Sequence, residues 1–134
     1  MDLDLFLNIL GIDSTSGEER PLAEFLRSRL PFGDCSVQSH EVGDGTINLL
    51  FDWSGTGTPS FVFCTHLDTV PPYIPPVVSD VSEGDNLPDG KAAVKDDVIV
   101  RGRGSCDAKG QIFTMYSACR QLHEEGFRDF GLLL

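Results

Sequence analysis

The run FGLLL at residues 130–134 places a strong limit on the fold of this chain. Alternate side chains of a strand point to opposite faces, so three successive leucines need burial on both faces. Strands buried on both faces are typical of parallel sheets that are covered by helices. Together with apolar segments at 61–66 and 97–101, the run predicts an α/β fold with one mainly parallel sheet and flanking helices.

Three segments space their apolar residues at helical intervals. They are residues 2–10, 18–30 and 107–125. Ser16 and Glu19 have the spacing of a capping box, and Pro21 requires the second helix to begin close to it. Gly126 suits the position just after the third helix.

The regions between these segments predict a hairpin and a long loop. Segments 34–40 and 45–52 carry β-type residues on either side of EVGDG, which favours two antiparallel strands. Residues 72–97 are polar, contain several Pro and Gly, and show no regular period. Long loops in compact domains are often functional, so this loop is a functional candidate.

The charge argues against two classes of partner. Ten Lys and Arg against 21 Asp and Glu give a net charge of −11, which would repel nucleic-acid phosphates and anionic lipids. The N-terminus is acidic where a secretory signal is basic, and no apolar run reaches the roughly 18 residues of a membrane span. We expect a cytoplasmic protein with reduced cysteines that binds neither nucleic acid nor membranes.

The apolar run FVFCTH ends in a histidine that shares a strand face with an aspartate. His66 and Asp68 are two positions apart, so their side chains point the same way on an extended backbone. A carboxylate beside an imidazole orients the ring, as metal-bound and catalytic histidines require. Taken alone, an H-x-D pair is more often a satisfied pair at a strand end. Cys64 lies on the same face, but without a nucleophile elbow it is expected to be a small buried core residue.

The segment GRGSCDAKG, residues 102–110, is the second candidate site. Its glycines allow a tight turn around Asp107. Asp107 could equally serve only as the N-cap of the third helix. A dinucleotide site would need a glycine where Asp107 stands, and an acid there would repel a pyrophosphate. His40 and His123 have no partners at ligand spacing and are interpreted as surface residues.

HLDTVPP followed by GRGSCDAKG resembles the paired signature of the M20 metallopeptidases, and the resemblance extends over the whole chain. That family includes acetylornithine deacetylase, succinyl-diaminopimelate desuccinylase, aminoacylases and carboxypeptidase G. The resemblance implies a zinc-exopeptidase-like catalytic domain with two Zn²⁺ ions, for which Co²⁺ or Mn²⁺ are possible substitutes. It implies that His66 binds one metal, that Asp107 bridges both, and that Asp68 is a catalytic residue that holds His66 without touching metal. It also implies a cis peptide between Asp107 and Ala108. Since both motifs follow strands, we expect His66 and Asp107 to approach each other.

One part of the family pattern is missing. In M20 proteins the strand corresponding to FGLLL continues into a Glu-Glu pair, of which the first is the general base and the second binds metal. No such pair follows this strand within residues 1–134. We therefore expect residues 1–134 to be the N-terminal part of the catalytic domain, without its C-terminal part and the dimerisation domain. We also expect Leu132–Leu134 to lack covering layers and to cause association.

Two functions are consistent with these motifs. The first is a zinc amidohydrolase that cleaves N-acyl amino acids, as acetylornithine deacetylase does, or small peptides by metal-activated water, with a homodimeric parent. The second is a stand-alone binding or assembly module that kept the fold without catalysis. The intact motifs favour the first, while the missing base indicates that residues 1–134 alone do not turn over substrate.

Overall fold

The computed structural model of the protein describes residues 2–43 and 46–134. The helices are α1 (Leu3–Gly11), α2 (Arg20–Arg29) and α3 (Lys109–Glu124). The strands are β1 (Ser36–Gly43), β2 (Thr46–Asp52), β3 (Phe61–Cys64), β4 (Val77–Asp80), β5 (Val98–Arg101) and β6 (Phe130–Leu133). The three predicted helices are confirmed. Within the two described ranges, none of the helices has the length and apolar character needed to cross a membrane.

The helix ends differ from expectation at two points. Glu19 is the N-cap of α2 but makes no capping bond with its side chain, so the predicted capping box of Ser16 and Glu19 is wrong. The N-cap of α3 is Ala108, so Asp107 does not cap that helix. Gly126 follows α3 with φ of 94°, the left-handed conformation that the sequence predicts for it.

The main sheet is mixed rather than mainly parallel. Its strand order is β1-β2-β6-β3, and both the β1–β2 and the β2–β6 pairs are antiparallel. The β3–β6 pair is parallel, because α3 forms part of the crossover between these two strands. The α/β class and the antiparallel pairing of β1 with β2 are confirmed, although Asp44 and Gly45 of EVGDG lie outside the described residues. The mainly parallel pairing is wrong because the hairpin adds its strands directly beside β6.

A separate two-stranded ribbon interrupts the predicted long loop. β4 pairs antiparallel with β5, with Val77 opposite Arg101 and Asp80 opposite Val98. The segment 72–97 is therefore not a loop throughout. The predicted strand at 97–101 exists as β5, but it does not belong to the main sheet.

The core lies between the main sheet and the helices. Leu26 of α2, Ile112 of α3 and Leu132 of β6 are fully buried. β6 lies between β2 and β3, and Leu134 is only 4% exposed. The expectation that Leu132–Leu134 lacks covering layers is therefore wrong, because both neighbouring strands and the helices cover this run.

Candidate metal centre

His66 lies just beyond the carboxyl end of β3, and carboxylates approach both nitrogens of its ring. Nδ1 of His66 is 2.9 Å from Oδ1 of Asp68 and 2.9 Å from the backbone oxygen of Asp68. Nε2 is 3.2 Å from Oδ1 of Asp107. Both ring nitrogens face acceptors, so each donates in the protonated ring; in the neutral ring the hydrogen is assigned to Nδ1, which faces two acceptors, rather than to Nε2, which faces one. The structure thus brings the three predicted residues together, while their roles stay predictions.

The loop between β5 and α3 presents Asp107 to His66. The peptide between Asp107 and Ala108 is cis, as the resemblance to the M20 family implies. A Cβ on Gly110 would lie 2.2 Å from the carbonyl oxygen of Ser105, so this turn has no space for a side chain at that position. The tight turn leaves the Asp107 side chain 75% exposed beside the His66 ring.

The electrostatics of the site favour the protonated form of His66. Partial burial lowers the pKa of His66, but hydrogen bonds with Asp107 and Asp68 outweigh this effect and raise the pKa above its usual value. A metal ion at Nε2 would compete with this proton, because metal-binding histidines must be neutral. The side chains of His66 and Asp68 are 51% and 42% exposed, so the site is open to small solutes.

Two polar residues that the sequence did not predict support the site. Ser16 donates a hydrogen bond from Oγ to Oδ2 of Asp68 at 2.7 Å. Lys109 is fully buried, and its Nζ donates to the backbone oxygen of Ile12. Burial lowers the pKa of Lys109 to about 8, while Asp13 opposes the shift. The sequence analysis interpreted Ser16 as part of a capping box and so did not predict its contact with Asp68. For Lys109 the only available signal was its position two residues after Asp107.

A small pocket of about 150 Å³ borders His66 and Asp68. Glu19 lines this pocket, is 6% exposed, and has no hydrogen-bond partner for Oε2 in the described part of the chain. A larger, mostly apolar pocket of about 540 Å³ lies between α1, β5 and α3 and is not lined by His66, Asp68 or Asp107. The three candidate site residues therefore do not line the larger pocket.

The described residues contain no group of three or more His, Cys, Asp or Glu side chains that could hold a metal ion. His66 and Asp107 could therefore supply only part of a ligand set, since zinc sites in proteins usually have three or four protein ligands.

The remaining candidates lie outside the site. Cys64 is exposed, so its predicted core position is wrong, because β3 is the last strand of the sheet. His40 is exposed, as predicted. His123 is half-buried, and its ring packs edge-on against Phe32 with 5.2 Å between centroids, so its interpretation as a surface residue is wrong.

Comparison with known sequences identifies relatives for almost the whole chain. The chain is 31% identical to a probable carboxypeptidase of Talaromyces marneffei, over 98% of the chain and 31% of that protein. It is 30% identical to a LysW-lysine hydrolase of Deinococcus radiodurans, over 91% of the chain and 28% of that protein. The chain thus spans about a third of the length of the curated relatives it matches. No protein-family profile matches it.

Solved structures show the same fold. An aminopeptidase PepT from Bacillus cereus matches with a TM-score of 0.64 and 18% identity, over 98% of this chain and 34% of its own. A tripeptidase from Staphylococcus aureus matches with a TM-score of 0.60 and 20% identity over the same shares. Together with the two motifs, these similarities confirm the resemblance of this chain to the metallopeptidases of the M20 type, at about a third of their length.

Proposed function

We propose that residues 1–134 form the N-terminal part of the catalytic domain of a zinc-dependent hydrolase that cleaves an amide bond beside an amino acid. The observation that carries this proposal is the His66 ring, held by Asp68 at one nitrogen and facing Asp107 at the other. A histidine with a carboxylate on its second nitrogen is the common arrangement of zinc-binding histidines.

The donor atoms of His66 and Asp107 fit a zinc ion. Imidazole nitrogen and carboxylate oxygen are both ordinary zinc ligands, each at about 2.0–2.2 Å from the metal. In a tetrahedral site such ligands are roughly 3.3 Å apart, and Nε2 and Oδ1 are separated by 3.2 Å. The pair that hydrogen-bonds without metal therefore has the spacing of two adjacent ligands.

The three residues would have different roles. His66 and Asp107 would hold the metal, and the two oxygens of Asp107 would allow it to bridge a second ion. Asp68 would keep the His66 ring oriented. When bound, zinc would polarise the amide carbonyl and lower the pKa of a bound water. The general base and the remaining ligands would come from residues outside 1–134.

The substrate class follows from the relatives and is part of the proposal. The matched proteins are named as carboxypeptidases, an aminopeptidase, a tripeptidase and a hydrolase of a lysine conjugate. These names favour small peptides or amino-acid amides, and an N-acyl amino acid of the acetylornithine type is the narrower alternative. We further propose that the complete protein is a cytoplasmic homodimer and that Co²⁺ or Mn²⁺ can replace zinc.

The test is to read the gene beyond the codon for Leu134 and to assay its complete product. We expect a Glu-Glu pair to follow this strand, and zinc-dependent release of amino acids from small peptides or N-acyl amino acids. His66→Ala should abolish turnover, because it removes a metal ligand. His40→Ala is the matched control, since His40 is exposed on β1 and takes part in none of the hydrogen bonds of His66.

Three results would contradict the proposal. A stop codon after Leu134 would favour the stand-alone module. Full turnover by the His66→Ala variant would show that this histidine does not hold a required metal. Metal-dependent turnover by residues 1–134 alone would show that a general base lies within this segment. It would overturn the proposal that the base comes from residues outside 1–134.

A further inference from the structure

The Asp68 carboxylate divides its two oxygens between two partners. Oδ1 lies 2.9 Å from Nδ1 of His66, and Oδ2 accepts a hydrogen bond of 2.7 Å from Oγ of Ser16. Terminal torsions of aspartate are broad, so a carboxylate that is 42% exposed is not held in one orientation by its own rotamer preference. A hydrogen bond on each oxygen fixes the plane of the carboxylate.

Ser16 itself is held by backbone pairing. The segment 12–16 lies along residues 67–69, with the N–H of Ser16 donating to Thr69 at 3.1 Å and the N–H of Thr69 donating to Ser14 at 2.9 Å. The hydroxyl of Ser14 donates to the backbone oxygen of Leu67 at 2.8 Å, in a buried position. The hydroxyl of Ser16 is therefore placed by the same backbone that carries His66 and Asp68.

The segment 12–16 also contacts the first residue of α3, two positions after Asp107. The buried Lys109 reaches the backbone oxygen of Ile12. Its side chain contributes no atom to the His66–Asp107 contact, but it connects the second motif to the same segment. Both halves of the candidate centre are thus attached to residues 12–16.

We infer that Ser16 is a positioning residue of the metal centre, which orients Asp68 and through it keeps His66 in the Nδ1–H tautomer with Nε2 directed to the metal. The inference that this positioning serves a metal rests on the proposed function. The hydrogen bonds from Ser16 to Asp68 and from His66 to Asp68 are present without metal. The alternative use of Ser16 as a helix cap does not apply, since α2 begins after Glu19 and has no side-chain capping bond.

The direct test is the tautomer of His66 in the metal-free chain, measured by nitrogen-15 NMR at a pH where the ring is neutral. The wild-type chain should hold mainly the Nδ1–H tautomer. Ser16→Ala should shift the ratio of tautomers toward Nε2–H by about threefold, the effect of losing one ordinary hydrogen bond. Ser16→Thr keeps the hydroxyl and should restore the wild-type ratio.

Thr15→Ala is the matched control for this experiment. The Thr15 hydroxyl belongs to the same segment but donates to Asp13, so its loss should leave the His66 ratio unchanged. The inference is overturned if wild-type His66 is mainly Nε2–H, or if folded Ser16→Ala has the wild-type ratio. If Ser16→Ala does not fold, Ser16→Cys keeps the shape of the side chain but replaces the hydroxyl with a much weaker donor, and a wild-type ratio in that variant would overturn the inference in the same way.

Zinc affinity separates this inference from the proposed function. Ser16→Ala should weaken zinc binding by up to about tenfold, the low end of the range for outer residues of a metal site, while Thr15→Ala should not. If the wild-type chain and the complete gene product bind no zinc, the proposed function fails. The tautomer measurement, which uses no metal, still decides whether Ser16 positions His66.

Discussion

Nε2 of His66 lies 3.2 Å from Oδ1 of Asp107, although 41 positions separate the two residues in the sequence. Each residue follows a strand, but the two strands belong to different sheets. The contact therefore depends on the loops after β3 and β5 rather than on neighbouring strands of one sheet. Residues 12–16 contact the loop after β3 through Ser16 and the first residue of α3 through Ile12, so this segment connects the two motifs.

Leu132→Ala tests the position of β6 inside the sheet. Leu132 is fully buried, so its truncation should lower the free energy of unfolding by roughly 2–5 kcal/mol. Leu133→Ala is the control, because Leu133 is half-buried, and it should cost clearly less. Chemical denaturation measures both. Equal and small losses would show that this strand is uncovered.

The buried thiol of Cys119 predicts a loss of stability at alkaline pH. Burial raises the pKa of Cys119 to about 12, well above its usual value near 9, and the nearby Cys35 adds to the shift. Between these values the unfolded chain releases a proton that the folded chain keeps, so the unfolded state is favoured as pH rises. The stabilisation that comes from keeping the Cys119 thiol protonated is complete below pH 9. Above pH 9 the free energy of unfolding decreases by up to about 1.4 kcal/mol per pH unit.

Comparison with Cys119→Ala isolates this effect. The difference in unfolding free energy between wild type and variant should be constant below pH 9 and should shrink between about pH 9 and 12. Denaturation under reducing conditions at several pH values measures it. A difference that does not depend on pH would mean that the Cys119 thiol ionises in the folded protein as it does in the unfolded chain.

We expect the chain to associate at high concentration through the outer edge of β3. β3 is last in the strand order, and Phe61 and Val62 are 54% and 38% exposed. An apolar strand at a sheet edge is a template for pairing with another chain. Phe61→Lys should shift the chain toward the monomer in light scattering, whereas Val94→Lys, an exposed valine outside the sheets, should not. A wild-type chain that stays monomeric at high concentration would contradict this prediction.

The sequence predicted the features that depend on local patterns. Helical spacing located α1, α2 and α3, and the two-residue separation of His66 and Asp68 placed both side chains at one point. The placement of both motifs after strands, together with the resemblance to a known family, predicted that His66 approaches Asp107. The expectation that both strands belong to one sheet was wrong, since the contact joins loops from two sheets.

The errors have a common physical cause. A short apolar strand such as β5 has the same pattern in a central sheet and in a ribbon, so its partner β4 was not predicted. The same ambiguity led to Cys64 being interpreted as buried, although β3 lies at an edge. Ser16 was missed because its spacing to Glu19 also fits a helix cap, and only the fold shows that its hydroxyl reaches Asp68.

The most direct test of the metal centre is anomalous diffraction at the zinc absorption edge, from crystals of the chain soaked in millimolar zinc. We predict a zinc peak about 2.0–2.2 Å from Nε2 of His66 and from a carboxylate oxygen of Asp107, and its loss in His66→Ala crystals. The high concentration is needed because two protein ligands alone should bind zinc weakly. Zinc bound only elsewhere, with the hydrogen bond between His66 and Asp107 intact, would contradict the account.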